Sequence, residues 1–157
     1  IYGRDNLWTA RLGISATERR WLRIGWLARL PLSYVENCAE AIVLAAERPG
    51  PLELTVNVID DELPTQAGYA REVLRRLTPR PRSRTLPWPM MRLLARSASA
   101  TNRMVFKGRA RLPAILVPAR LHARFKPLRY SNGRLHEALG WRPRYSLVEA
   151  LERSLRP

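Results

Sequence analysis

The sequence predicts an α/β fold, mostly helical with a few short strands, on three observations. Between residues 35 and 77 a helix-like pattern, a strand-like pattern and a second helix-like pattern follow one another, the alternation typical of that class. The composition, 46% hydrophobic and 26% charged over 157 residues, is that of an ordinary globular chain with enough residues to bury a core. Finally, the stretch from Tyr130 to Leu155 reads as helix, stop, turn and helix, with capping residues at each boundary.

Taken in order, residues 1–30 read as loop plus a short element. "IYGRDN" has turn character, while Trp21, Leu22, Ile24, Trp26 and Leu27 recur without a clean period. "LPLSYV" is a short β-prone run that leads into a helix over "ENCAEAIVLAAE", where Cys38, Ala41, Ile42 and Ala45 form an apolar stripe and Pro49-Gly50 ends it. This spacing places Cys38 in the core, as an inert thiol. "LELTVNVID" alternates Leu52, Leu54, Val56 and Val58 with mainly polar residues, the period of a strand. Thr65 then caps a helix whose buried stripe is Tyr69, Ala70, Val73, Leu74 and Leu77.

Proline punctuates the chain beyond that helix. "TPRPRSRTLPWP" reads as extended or looped, "MMRLLARSASA" as a short amphipathic helix, and "RARLPAILVPARLHARFKPLRY" as a wandering surface segment without a period. Residues 79–129 are thus a Pro/Arg-rich segment within a chain, 1–157, of one domain's length. At the end, Ser131 or Asn132 caps a short helix with Leu135, Ala138 and Leu139 inward, Gly140 stops it, and Trp141 folds back on Leu135. "SLVE" at 146–149 is a capping box for the last helix, with Leu147, Leu151 and Leu155 on one side.

The formal net charge of +15 is unevenly placed: residues 1–80 hold 11 basic and 10 acidic groups, residues 81–157 hold 17 and 3. From Val73 to His136 there are 16 Arg or Lys and no Asp or Glu. A coding bias toward arginine explains 26 Arg against 2 Lys, but not the missing acids, so the segment suggests an anionic partner. The longest apolar runs, such as 42–46 and 112–119, fall far short of the ~18 residues of a membrane span. With a single cysteine, and no signal-peptide pattern at the start of the sequence, a cytoplasmic location is expected.

Several chemistries are missing. His122 and His136 lack metal-ligand spacing and the Asp60-Asp61-Glu62 triplet stands alone, so no metal site is proposed. There is no G-x-S-x-G, and the glycines lie too far apart for a phosphate-cradling loop. No tyrosine is followed four residues later by lysine; Tyr130 meets Arg134, which cannot titrate usefully. No catalytic residue is therefore assigned in this chain.

The order of the pieces "IYG", "LPLSYVENCAEAIVLAAE", "LTVNVIDDELPTQAGYAREVL" and "LRYSNGRLHEALGWRPRYSLVEALERSL" resembles the C-terminal half of the extended short-chain dehydrogenases/reductases, the NAD(P)-dependent epimerase/dehydratase family. The likeness covers most of 1–80 and 127–155, and its closing part is the most specific. It implies a Rossmann-type fold whose dinucleotide-binding N-terminal half, with the glycine-rich loop and the Tyr-x-x-x-Lys pair, lies outside this sequence. Ile1 would then stand in the middle of a domain, and residues 1–157 would be a partial domain, the substrate-binding lobe.

On that resemblance, the implied cofactor is NAD or NADP, held mainly by the absent half, with Tyr2 and Gly3 as the cofactor-side contacts and no metal. Arg4, Asn6, Ser33 and Tyr34 are the implied substrate-side residues, and Arg120 or Arg124 an arginine upstream of the closing helix for an anionic group. Asn37 departs from the family's usual aspartate, and Arg29 is displaced by one place from a family arginine, which weakens the case for a sugar nucleotide. The implied function is a substrate-binding half that orients a carbonyl or hydroxyl substrate for hydride transfer. The implied partners are the Rossmann half and a small molecule of anionic character, with a homodimer left open.

An alternative from the residues alone is a basic module that uses segment 73–136 on nucleic acid or on an anionic surface. Trp88, Phe106 and Phe125 would be the stacking groups, although core positions suit them better and nucleic acid is the less favoured partner. Peripheral attachment to a membrane through "WPMMRLLAR" is a third reading.

Overall fold

The first strands form where the sequence shows no period. In the computed structural model, which describes residues 1–4, 6–9, 11–17, 20–25, 27–50, 54–125 and 128–156, β1 (Gly13–Thr17) pairs antiparallel with β2 (Arg20–Ile24). Trp21 and Ile24 of β2 are both buried, three residues apart, so the strand buries both faces and leaves no alternation to read. Gly13 has φ +148°, and a Cβ there would run into the Leu22 carbonyl oxygen, so the pairing admits only glycine. β3 (Arg82–Leu86) adds in parallel to β2, with Arg20 opposite Arg82 and Ile24 opposite Leu86. The sheet order is β1-β2-β3.

Six α-helices complete the elements among the described residues, and the fold is mixed α/β. α1 (Val35–Glu47) buries Ala41 of the stripe expected from the sequence together with Asn37, while Ile42 is 62% exposed and Cys38 is only half-buried. The helix is rotated so that the polar Asn37 faces inward. α2 (Gln66–Arg76) follows its expected pattern, with the Thr65 hydroxyl accepting from the Gly68 amide at 3.0 Å and Tyr69, Ala70 and Val73 buried. The run expected as a strand forms none over its described residues 54–60. Val56 and Val58 do turn inward, and the Asp60 amide donates to the Leu32 carbonyl at 2.8 Å, but no ladder forms. Leu52 lies outside the described residues.

The amphipathic helix expected at 90–100 forms as α3 (Trp88–Met104). The segment expected to wander, 109–130, is partly folded, with a 3₁₀ turn at Ala114–Leu116 and α4 (Pro118–Phe125). Pro89 lies in the first turn of α3 and Pro118 opens α4, where no backbone N–H is required, so these prolines start helices instead of breaking them. α5 (Gly133–Leu139) stops at Gly140, in the left-handed region at φ 64°, and α6 (Leu147–Leu155) begins at a full capping box of Ser146 and Glu149. Both ends match their sequence signals, except that Asn132 caps α5 by position only and turns its side chain to the Ile59 carbonyl and Asp61.

The chain divides into two compact units. Unit 1 comprises Ile1–Thr9, Arg29–Thr78 and Leu128–Pro157; unit 2 comprises Ala10–Ala28 and Pro79–Pro127. In unit 1, Ala41, Leu135 and Trp141 form a buried cluster, with Val56, Val58 and Leu139 against it. In unit 2, Ile24, Met91, Ala95, Leu121 and Phe125 form the core, flanked by Leu86, Trp88, Ile115 and Leu116. Each fully buried large aliphatic side chain contributes about 1.5–3 kcal/mol.

Candidate functional site

Unit 1 brings its distant segments together around three tyrosines. The Tyr2 amide donates to the Ser33 carbonyl and the Val35 amide donates to the Tyr2 carbonyl, each at 2.9 Å, so Tyr2 and Tyr34 lie side by side in a parallel bridge. Gly3 permits the approach: a Cβ there would stand 2.7 Å from Val35 Cγ1. The Tyr2 ring meets Tyr34 at 5.6 Å and Tyr69 at 5.8 Å between centroids, and the Tyr69 hydroxyl donates to the Leu7 carbonyl at 2.8 Å. Burial pushes the phenols of Tyr2 and Tyr69 far above their ordinary range, with the Asp60 carboxylate adding to the effect at Tyr2. Both are neutral hydrogen-bonding groups at physiological pH, not bases.

Asp60 is the polar centre of this group. Its Oδ2 accepts from the Tyr34 amide at 2.9 Å and its Oδ1 from Asn37 Nδ2 at 3.0 Å. Asn37 also donates to the Tyr145 carbonyl and accepts from the Tyr145 amide, both at 3.0 Å, and so ties α1 to the turn before α6. Burial raises the Asp60 carboxyl above its ordinary value, although the hydrogen bonds from Asn37 and Tyr34 pull the other way. An aspartate in place of Asn37 would set two carboxylates against each other here. The Tyr2 hydroxyl, close enough to favour the charged form of Asp60, and the Ser33 hydroxyl are buried without a full hydrogen bond.

A cleft of about 400 Å³ opens at the other end of the 29–34 segment, lined by Arg29, Pro31, Leu63, Leu128, Arg129 and Tyr130. Leu30 anchors this end through its amide, which donates to the Pro64 carbonyl at 2.9 Å. The Arg29 guanidinium donates to the Leu63 carbonyl at 3.3 Å, which holds it against the cleft wall. Two guanidinium groups and a phenol around an apolar floor suit an anionic group carried on an organic body. The lining contains no carboxylate, histidine or lysine, and the Tyr130 phenol is its one group able to exchange a proton.

The residues expected at a site fall in both units. Tyr2, Gly3, Ser33 and Tyr34 come together in the tyrosine group, where the Tyr34 hydroxyl donates to Glu36 Oε1 at 2.8 Å. Arg4 is exposed, and Asn6 closes the local turn by donating to the Ile1 carbonyl at 3.1 Å. Arg120 and Arg124 lie on α4, in unit 2, with the Arg124 guanidinium over the Phe125 ring at 5.8 Å. The arginine that shares a cleft with Arg29 is Arg129, which is not among the residues expected from the sequence. Its place directly before Tyr130 and the closing helix pair is the signal that could have found it.

The tyrosine group does not by itself fit a nicotinamide dinucleotide. The Tyr2 amide and carbonyl are both engaged by residues 33–35, and the Gly3 carbonyl accepts from the Asn6 amide at 3.1 Å. Among the described residues, no three His, Cys, Asp or Glu side chains gather as a metal site. No family model matches the chain, and no curated protein or solved structure compared with it matches either.

Proposed function

We propose that this chain is the substrate-binding portion of an NAD(P)-dependent epimerase, dehydratase or reductase, which orients a carbonyl or hydroxyl substrate while a Rossmann half holds the nicotinamide. One observation carries the reading. The four stretches that resemble the extended short-chain dehydrogenases/reductases, residues 1–3, 30–47, 54–74 and 128–155, all fall in unit 1. Residues 10–28 and 79–127, which none of those stretches includes, make up unit 2. Unrelated local likenesses have no reason to sort themselves into one compact body.

In this reading Arg29 and Arg129 fix the anionic end of the substrate by charge-assisted, bidentate hydrogen bonds, and Pro31, Leu63 and Leu128 exclude water beside it. The nicotinamide supplies the hydride chemistry when bound by the other half. Coexpressed with the coding sequence that precedes it, the chain is expected to copurify with a Rossmann partner, and the pair to bind NADH or NADPH in a fluorescence titration. Arg129→Gln is expected to weaken an anionic substrate about tenfold and to leave dinucleotide affinity unchanged. A pair that forms but binds neither dinucleotide overturns the proposal.

A further inference from the structure

The charge of this protein is segregated by unit. Unit 2 holds 16 of the 28 basic residues and one of the 13 acids, Glu18, whereas unit 1 holds 12 of each and is formally neutral. The whole net charge of +15 therefore belongs to unit 2. Within unit 2, exposed large apolar side chains concentrate on residues 90–106: Met90, Leu93, Leu94, Met104, Val105 and Phe106. At 3.6 residues per turn α3 carries three stripes. Met91 and Ala95 are buried; Arg92, Arg96 and Arg103 run along one flank; and Met90, Leu93, Leu94 and Met104 face outward, with only Ser97, Ala100 and Thr101 between them. Leu93 is 65% exposed and Met104 84%.

The chain beyond the helix extends this face in a built turn. Val105 and Phe106 are exposed, and Lys107 and Gly108 both take positive φ, 50° and 78°. The Asn102 side chain clamps the turn, donating to the Ala110 carbonyl at 3.0 Å and accepting from the Ala110 amide at 3.1 Å. The Gly108 amide donates to the Asn102 carbonyl at 2.9 Å. Two apolar side chains are thus held out in water on an ordered support, with Lys107, Arg109 and Arg111 directly after them. Beside the arginine flank, Arg92, Arg96, His122 and Trp88 line a cleft of about 350 Å³ between α3 and α4.

We infer that α3 and the turn at 105–110 form a docking site for an anionic phospholipid surface. The outward stripe and Phe106 enter the headgroup boundary, the flanking arginines reach phosphate oxygens, and the cleft of Arg92, Arg96 and His122 receives one headgroup phosphate. Charge complementarity selects this occupant. Unit 2 offers an apolar face bordered by cations with almost no acid to repel lipid phosphate, and no helix among the described residues is long and apolar enough to cross a membrane. Nucleic acid accounts for the arginines but gives exposed Met90, Leu93, Leu94 and Met104 nothing to do, and of the three aromatics it would stack on, Trp88 and Phe125 are taken, packing together at 6.3 Å in the core of unit 2, which leaves only Phe106. A second copy of this face would bring like charge against like. The inference does not depend on the enzymatic reading.

Cosedimentation of the chain with vesicles tests it. Binding is expected to mixed phosphatidylcholine/phosphatidylglycerol vesicles and not to phosphatidylcholine alone, and is expected to weaken as salt rises. Leu93→Ser and Phe106→Ser, both at exposed positions, are each expected to reduce binding about tenfold or more while the circular dichroism spectrum stays unchanged. Arg92→Gln with Arg96→Gln is expected to weaken it again. A chain that stays in the supernatant with the mixed vesicles overturns the inference. So does vesicle binding indifferent to Leu93→Ser and Phe106→Ser, a duplex oligonucleotide that binds more tightly than the vesicles and displaces them, or a dimer in sedimentation equilibrium that Leu93→Ser dissociates and vesicles do not.

Discussion

Glu36 sits where three segments of unit 1 meet. It accepts from the Tyr34 hydroxyl at 2.8 Å and from the Arg153 guanidinium at 2.9 Å, and that guanidinium lies 4.5 Å from the centre of the Tyr145 ring. The Tyr34 hydrogen bond, then the Arg153 contacts, hold its carboxyl below the ordinary range. A depressed folded pKa gives stability that is present above the unfolded pKa and is lost as pH falls through the folded one. Because the pair is partly exposed, Glu36→Gln is expected to lose no more than about 1 kcal/mol at neutral pH. The gap from the unmutated chain in urea unfolding is expected to close below about pH 4; a gap that persists in acid contradicts the pairing. Asp60 runs the other way, since its raised carboxyl favours the fold as pH falls.

At the scale of elements, local chemistry and packing contribute differently. The capping box at Ser146, the Thr65 cap and the Gly140 stop are written in four-residue windows, and all three stand in the structure. What fixes α5 against α1 is tertiary: Trp141, fully buried, joins Leu135 and Ala41 across segments far apart in sequence. Trp141→Ala is expected to destabilise unit 1 by about 3–5 kcal/mol, read as a lower urea midpoint, and a loss under about 1 kcal/mol would show that the cluster does not hold the helices. The strand expected around Leu54–Val58 is absent because alternation reports which side chains face inward and not whether a partner strand is available. Conversely, β2 is unreadable because a strand buried on both faces has no alternation, and β3 shows in the sequence only as an extended or looped run because its flanking prolines look like interruption.

For the whole molecule, the segregation of charge dominates. Unit 2 gathers its excess from two separate stretches, 10–28 and 79–127, so like charges meet in the fold that are remote in the chain, as at Arg20 beside Arg82 between β2 and β3. Self-repulsion of this kind is screened by salt. Raising sodium chloride is therefore expected to raise the calorimetric unfolding temperature of the part containing unit 2, with little change for the neutral unit 1. A midpoint that is flat or falls with salt would mean that the arginines are already compensated.

Little of the candidate cleft is legible in the sequence. Arg29 reads there only as an arginine displaced by one place from the family pattern it resembles, and Arg129 gains its meaning only once the fold sets it beside Arg29 and Tyr130. By itself the sequence determined the caps, the helix ends, the α2 stripe and the absence of a glycine cradle, because each is settled within a few residues of backbone geometry. The tertiary structure alone decided which face of α1 is inward, which strands find partners, and that every unit of net charge lies on one body. Those depend on contacts between segments dozens of residues apart, and no local pattern records which distant neighbour will be there.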